Sequence, residues 1–160
     1  MSDIVNSLFN KLSSYQLLAI LLPGASLLGY MKFFLCIDIK VDENVWWFLL
    51  SSYVTGLILS RIGSVVIEEL MKKFLFIKKY DVQKYLIKRK EDDLVETLLS
   101  FANLYRSYCA VFLTLPIVSL LKGFRPDEHC AMYLLYLLLL ILFVISFCKQ
   151  YGYFCDSVDK

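Results

Sequence analysis

The chain has 160 residues, of which 59% are hydrophobic and 20% charged, and its formal net charge is +2. A soluble domain of this length rarely carries so many apolar side chains, whereas a small membrane protein needs them. The net charge is too small to imply nucleic-acid binding by itself. One histidine and five scattered cysteines form no zinc-binding pattern, so we predict no metal and no cofactor.

The first apolar segment runs from Tyr15 to Ile37 and is interrupted by Pro23 and Gly24. Because proline removes a helix hydrogen bond, this pair predicts a kink in the helix. Lys32 lies towards the end of the segment, where its ammonium group can reach the membrane interface. No cleavable signal is evident, so we interpret the segment as a retained membrane helix.

The second apolar segment runs from Val45 to Ile67 and opens with a tryptophan pair, which is typical of an interfacial aromatic belt. Its single charge, Arg61, follows sixteen uncharged residues. An unpaired charge at this depth costs about 2.5 kcal/mol or more, so we expect a partner from a neighbouring helix or subunit. Gly56 and Gly63 are small enough to let another helix approach closely.

The connector from residue 68 to residue 106 is rich in basic residues, with nine of the seventeen Lys and Arg between Lys72 and Arg106. The positive-inside rule therefore places it in the cytoplasm. The stretch that begins at Asp93 resembles a capping box, and apolar residues recur at helical spacing after it. We expect one helix from about Asp93 to Leu115 and a cytoplasmic helical extension over residues 68–106.

The third and fourth apolar segments differ in length. The third, Ser107 to Leu121, has fifteen residues and contains Pro116, which predicts a second kink. By length it fits either a crossing helix or a re-entrant or protein-buried segment. The fourth, Ala131 to Cys148, has eighteen residues without a charge. As a helix it would reach about 27 Å, close to the thickness of a bilayer's hydrocarbon core.

Together these patterns predict an all-α, polytopic membrane protein. Residues 1–160 would form a single helical membrane domain with about four membrane segments, and the cytoplasmic extension would rise from the second and third. With four crossings both termini are cytoplasmic. If the third segment does not cross, the C-terminus lies outside.

Several polar residues are predicted to meet at the cytoplasmic mouth of the bundle. Arg61 and Glu68 are seven residues apart, so a regular helix would place them on one face. Asn103 and Arg106 lie where the third segment enters the membrane, at about the same depth. This predicted polar belt either clamps two helices together or lines an ion path, and it consists of Arg61, Glu68, Glu69, Asn103 and Arg106.

Arg125 and His129 form the one pattern that suggests an enzyme. An Arg followed by a His resembles the motif of HEPN ribonucleases, although the spacing here is shorter. The predicted topology places both residues outside the cell, in an external loop. The chain offers no Gly-rich phosphate loop and no carboxylate pair inside an apolar segment, so we predict that the protein is not an enzyme.

Two motifs resemble those of a group of small bacterial membrane proteins that tend to occur among anti-phage genes. The first runs from Gly56 to Glu68 (GLILSRIGSVVIE), and the second from Asn103 to Arg106 (NLYR). The resemblance covers roughly residues 15–120. Size, composition and the Arg–His pair are also similar to the membrane accessory proteins of type VI-B CRISPR systems. The resemblance implies an inner-membrane pore that strengthens RNA-guided phage defence by depolarising the membrane.

Three functions follow from these observations. The first is a homo-oligomeric pore, because four helices are too few to enclose a conduit and a closed ring supplies one. The second is a non-conducting scaffold that docks a soluble partner through residues 68–106. The third is a HEPN-like membrane-tethered ribonuclease. The expected partners are the lipid bilayer, further copies of the chain and an RNA-guided nuclease or other defence protein, without direct nucleic-acid binding.

Overall fold

The computed structural model describes residues 14–35, 45–74, 82–91, 93–124 and 129–159. These residues are almost entirely helical, and no strand occurs among them, which confirms the predicted all-α class. A π-helical turn, Gly63–Ile67, joins two of the helices into one continuous helix from residue 45 to residue 74. The helices are α1 (Ser14–Phe33), α2 (Val45–Ile62), α3 (Glu68–Phe74), α4 (Val82–Glu91), α5 (Asp93–Leu121) and α6 (Cys130–Asp159).

Three of the described helices are long and apolar enough to cross a membrane. They are Val45–Met71, which includes α2 and the π-turn, Leu94–Leu121 of α5 and Cys130–Val158 of α6. The apolar part of α1, Leu17–Phe33, is shorter. These lengths and compositions agree with a membrane location, since a spanning helix needs about twenty apolar residues.

Helix α5 corrects the expectation that a helix ends near Leu115. It continues to Leu121 with Pro116 inside it. The third apolar segment, which by itself is short for a membrane crossing, is therefore the second half of a 29-residue helix. The helix tolerates the proline because tertiary packing holds both sides of it: Leu115 is 4% exposed and Ser119 is fully buried.

Successive long helices run in opposite directions around α5, which contacts α1, α2 and α6. Helix α1 runs parallel to α5, since Ser26 Oγ lies 3.1 Å from Tyr108 Oη and Tyr30 Oη lies 3.1 Å from Ser119 Oγ. Helices α2 and α6 run antiparallel to α5. The bundle thus has an α4 end, where α3, α4 and the last turns of α6 lie, and an opposite Trp46 end.

Helices α5 and α6 share the most extensive contact of the bundle. Phe143 of α6 lies at its centre, with its ring centroid 4.9 Å from that of Tyr108 and 5.3 Å from that of Phe112. Towards the α4 end, Cys109 and Phe147 continue this packing and are 0% and 2% exposed. Apolar burial against α5 therefore holds α6, whose other side stays exposed.

Helix α6 extends eleven residues beyond the uncharged run that ends at Cys148. In this extension Phe154 is fully buried, and its ring packs edge-on against Tyr85 of α4 with centroids 5.7 Å apart. The Lys88 Nζ of α4 donates a hydrogen bond to the Ser157 carbonyl at 3.0 Å. This end of the bundle therefore includes the last turns of α6 in addition to the extension predicted over residues 68–106.

Helices α1 and α2 cross with their backbones in contact. A Cβ atom added to Gly24 would lie 1.9 Å from the Ser52 carbonyl oxygen, and one added to Gly56 would lie 1.9 Å from the Ile20 carbonyl oxygen. Only glycine fits at both positions, as is common where membrane helices pack closely. The prediction that Gly56 admits a neighbouring helix is confirmed. Gly24, predicted as part of a kink, lies in the same contact, and α1 continues through it.

Candidate functional site

The π-helical turn between α2 and α3 determines where the charged residues point. In a regular helix, residues seven apart share a face, because seven residues make about two turns. A π-turn holds one extra residue, which rotates everything after it by about 100°. As a result Arg61 is exposed on the outer surface, whereas Glu68 is half-buried and faces α5. The expectation that these two side chains share a face is therefore wrong.

Glu68 forms an ion pair with Arg106 across the interface with α5. Its Oε2 atom accepts a hydrogen bond from Arg106 Nη1 at 2.6 Å, and the side chains are 22% and 15% exposed. Ser64 Oγ donates to the same carboxylate oxygen at 3.5 Å. A charge-assisted hydrogen bond in this setting is stronger than one between exposed side chains. We call Glu68 and Arg106 the clamp, because they join the helix 45–74 to α5.

Gly63 brings the two backbones close enough for the clamp to form. A Cβ atom at Gly63 would lie 3.0 Å from the Arg106 carbonyl oxygen and 3.2 Å from the Arg106 Cγ atom. Any larger residue at this position would push α5 away. The sequence analysis singled out Gly63 as a site of close helix approach, and the structure confirms it.

Arg61 lies on an outward-facing apolar surface of α2. Its neighbours on this face, one and two turns earlier, are Ile58 and Val54, which are 56% and 47% exposed. Among the described residues, the structure shows no hydrogen bond or ion pair of the Arg61 side chain. Glu69 is also exposed and lies on the same face, because the extra residue of the π-turn brings it into phase with Arg61.

The predicted polar belt thus divides into two sets. Glu68 and Arg106 point inward and bind one another, whereas Arg61 and Glu69 point outward. Asn103 lies one turn before Arg106 and is half-buried, and its backbone carbonyl accepts a hydrogen bond from Ser107 Oγ at 2.9 Å. The inward set joins two helices, and the two residues of the outward set are exposed on the surface of the bundle.

The outward face of α6 differs from that of α2 in chemistry. Seven aliphatic side chains of α6, each more than half exposed, follow one another without a charged residue. The first charge on this side of α6 is Lys149, at the α4 end. This face matches the interior of a lipid bilayer throughout its length, whereas the α2 face carries Arg61. The seven residues are Leu134, Leu135, Leu137, Leu138, Ile141, Leu142 and Ile145.

A second polar cluster, which the sequence analysis missed, joins three helices near the Trp46 end. Tyr30 of α1 contacts both the Ser119 hydroxyl of α5 and the Tyr136 hydroxyl of α6. Ser119 is fully buried and Tyr136 is 4% exposed. We call these three residues the tyrosine cluster. Nothing in the local sequence indicates that these three hydroxyls, which are far apart along the chain, meet in the fold.

The remaining predicted site residues lie apart from the clamp. Pro23 is fully buried in α1, and Pro116 is half-buried in α5. Arg125 lies outside the described residues. His129 immediately precedes α6, where its carbonyl accepts the Met132 N–H at 3.0 Å and its ring packs against Phe124. These contacts assign His129 a role in starting α6.

Comparisons with known proteins add no assignment to these observations. Within the described residues, no group of His, Cys, Asp and Glu side chains is arranged to hold a metal ion. No protein-family model matches the chain. Neither a curated protein nor a solved structure is significantly similar to it. What the protein does therefore rests on its own residues and their geometry.

Proposed function

We propose that the protein is a homo-oligomeric membrane pore that depolarises the bacterial inner membrane in anti-phage defence. The observation that carries this proposal is the position of Arg61, exposed on an apolar outer face of a membrane-length helix. A guanidinium group there needs water or a partner, because lipid tails offer neither. A ring of copies with a water-filled centre supplies both.

The depth of Arg61 supports this assignment. The exposed Trp46 and Trp47 mark one interface at the start of α2. Arg61 comes fourteen residues after Trp47, which is about 21 Å along the helix axis. A hydrocarbon core of about 30 Å then ends roughly six residues further on. Arg61 therefore lies within the apolar layer by about 9 Å, where a charge facing lipid is costly.

The two outer faces of the bundle suggest how copies are arranged. The aliphatic face of α6 suits lipid along its whole length, so α6 is the outer wall in our proposal. The α2 face, with Arg61, would then point towards neighbouring copies and the lumen. The described helices of a single chain enclose no conduit, because α5 fills the centre of the bundle and its Cys109 and Ala110 are fully buried. A closed cyclic ring is the simplest assembly with a lumen.

In the proposed topology α1 is a fourth crossing helix. Its apolar part, Leu17–Phe33, is short, but its close contact with α2 supports a position at the same depth. The basic connector sets the α4 end in the cytoplasm. Because the helices alternate in direction, the start of α1 and the end of α6 lie at that end as well. Both termini are then cytoplasmic.

The anti-phage role rests on the two motifs, Gly56–Glu68 and Asn103–Arg106, that resemble those of defence-associated membrane proteins. In the structure they meet, since the first contains Gly63, the π-turn and Glu68, and the second ends at the arginine that Glu68 binds. A shared motif pair with this geometry suits a helix clamp. An RNA-guided nuclease or another defence protein is the proposed partner.

Reconstitution of the full chain into liposomes tests the pore. We expect a detergent particle of several copies, and release of an entrapped dye that increases with the protein-to-lipid ratio. Arg61→Leu should reduce the release about tenfold, because an entirely apolar lumen excludes water. Lys149→Leu on the α6 face is the matched control and should leave release unchanged.

Two results would contradict the pore proposal. A strictly monomeric particle that releases no dye would exclude a pore. Release that is unaffected by Arg61→Leu, with the oligomer intact, would show that the α2 face does not line the conduit.

One observation favours a scaffold as the second candidate. Leu86 and Ile87 of α4 are 52% and 60% exposed, on a helix outside the apolar spans. Exposed neighbouring apolar residues of this kind suit a soluble partner protein. The double change Leu86→Ser and Ile87→Ser should then abolish recruitment of the partner to membranes while dye release persists. Loss of both together would favour a purely structural role for α4.

A further inference from the structure

We propose that Arg61 residues from several copies form an anion-binding ring, so that the conduit passes small monovalent anions in preference to cations. This inference rests on the proposed pore. It concerns which ion the lumen accepts, which the pore proposal leaves open. The chemical class of ligand follows from the sign of the charge at this depth and from what faces it.

The π-turn is the reason why the carboxylate of Glu68 does not lie beside Arg61 on the outer face. In an uninterrupted helix Glu68 would lie on the Arg61 face and offset its charge. The extra residue in Gly63–Ile67 turns Glu68 away instead, and Arg106 binds its carboxylate at 2.6 Å. The clamp is therefore neutral as a pair and faces the protein interior, whereas Arg61 is the one charged residue of α2 and faces outward.

Within the described helix 45–74, the other exposed charges lie further along the axis. Glu69 comes eight residues after Arg61, about 12 Å nearer to the α4 end. This separation exceeds the screening length of about 8 Å in physiological salt. Lys73 is exposed one turn beyond Glu69, and its positive charge offsets that of the carboxylate at the mouth. On α6 the nearest charge is Lys149, on the side we assign to lipid.

The exposed residues one turn before Arg61 offer no ligand for a cation. Leu57 and Ile58, one turn earlier, are exposed and aliphatic. A permeating ion would thus pass an apolar stretch and then a ring of guanidinium groups, each of which carries its charge spread over a planar fork of N–H donors. Rings of arginine or lysine attract anions and repel cations in channels. The selectivity should therefore depend on the charge at position 61 and only weakly on the mouth.

The test is the reversal potential of the full-length protein in planar bilayers with a tenfold gradient of potassium chloride. We expect the reversal potential of the wild type to lie on the side of the chloride equilibrium potential. Arg61→Gln should lower the chloride-to-potassium permeability ratio at least about fivefold while keeping the lumen wet. Arg61→Lys should retain the preference, and Lys149→Gln is the matched control, for which we expect no change.

Each outcome supports or overturns the inference. If the wild type conducts but prefers potassium, or if Arg61→Gln leaves the ratio unchanged, the anion ring is wrong and the pore proposal stands. If the wild type does not conduct under any condition, both proposals fall. If Arg61→Gln does not assemble, the wild-type ratio and its retention in Arg61→Lys decide the question.

Discussion

The clamp between Glu68 and Arg106 makes a quantitative prediction about the stability of the bundle. Glu68→Gln removes the carboxylate that binds Arg106, whose side chain is 15% exposed. Breaking a fully buried pair costs about 3–5 kcal/mol, whereas exposed pairs contribute about 0–1 kcal/mol. Because both side chains keep some contact with the surroundings, we expect Glu68→Gln and Arg106→Gln each to cost about 2–3 kcal/mol.

The double variant distinguishes a clamp from two independent contributions. If the 2.6 Å contact carries the effect, removing the second partner costs little more than removing the first. The coupling free energy should then be about 2 kcal/mol, as expected for a hydrogen bond between charged groups. The assay is unfolding by sodium dodecyl sulfate in mixed micelles, followed by circular dichroism. Glu69→Gln is the matched control, and its effect should stay within about 0.5 kcal/mol.

A coupling free energy below about 0.5 kcal/mol would refute this reasoning, because it would equal that of a solvent-exposed pair. Additive losses in the double variant would point to separate roles for the two side chains. A large loss in Glu69→Gln would contradict the division of the belt into inward and outward sets.

Three further predictions follow from the same geometry. Deleting Val65, which is 68% exposed, should turn the π-turn into a regular helix without moving Arg61 or Glu68 to another face. The midpoint of thermal unfolding should therefore change little. Deleting Val54 in the regular helix α2 should instead rotate the rest of the helix and prevent folding. Gly56→Ala should cost about 1–3 kcal/mol in the same unfolding assay, because its Cβ meets a carbonyl at 1.9 Å, whereas Gly29→Ala has open space and should be neutral or stabilising. We expect the purified protein to show only background ribonuclease activity, which His129→Ala should leave unchanged. A measurable rate that falls in His129→Ala would support the HEPN interpretation.

Sequence patterns predicted the apolar helices because membrane burial acts on whole segments. The uncharged run of α6 and the apolar residues of α2 can be recognised directly in the sequence. The extension of α6 was not predicted, because Lys149 ends the uncharged run. Its signal was present, since Tyr151, Phe154, Cys155 and Val158 recur at helical spacing and are all buried.

The orientation of the candidate site could not be predicted in the same way. Residues 63–67 (GSVVI) carry no local signature of a π-turn. Whether a helix accommodates one extra residue here depends on its contacts with α5 across the interface. Gly63 against the Arg106 backbone and Glu68 against its guanidinium are contacts between distant parts of the chain. The tyrosine cluster was out of reach for the same reason, because Tyr30 and Ser119 are 89 residues apart.

The close crossing of α1 and α2 has a consequence for biosynthesis. Gly24 and Gly56 are separated by 32 residues, so both sides of the contact are available before α5 or α6 has been translated. In the proposed topology, α1 and α2 would therefore leave the translocon as a two-helix hairpin before Arg106 has been made. The ion pair that joins Glu68 to α5 would then form only when α5 arrives.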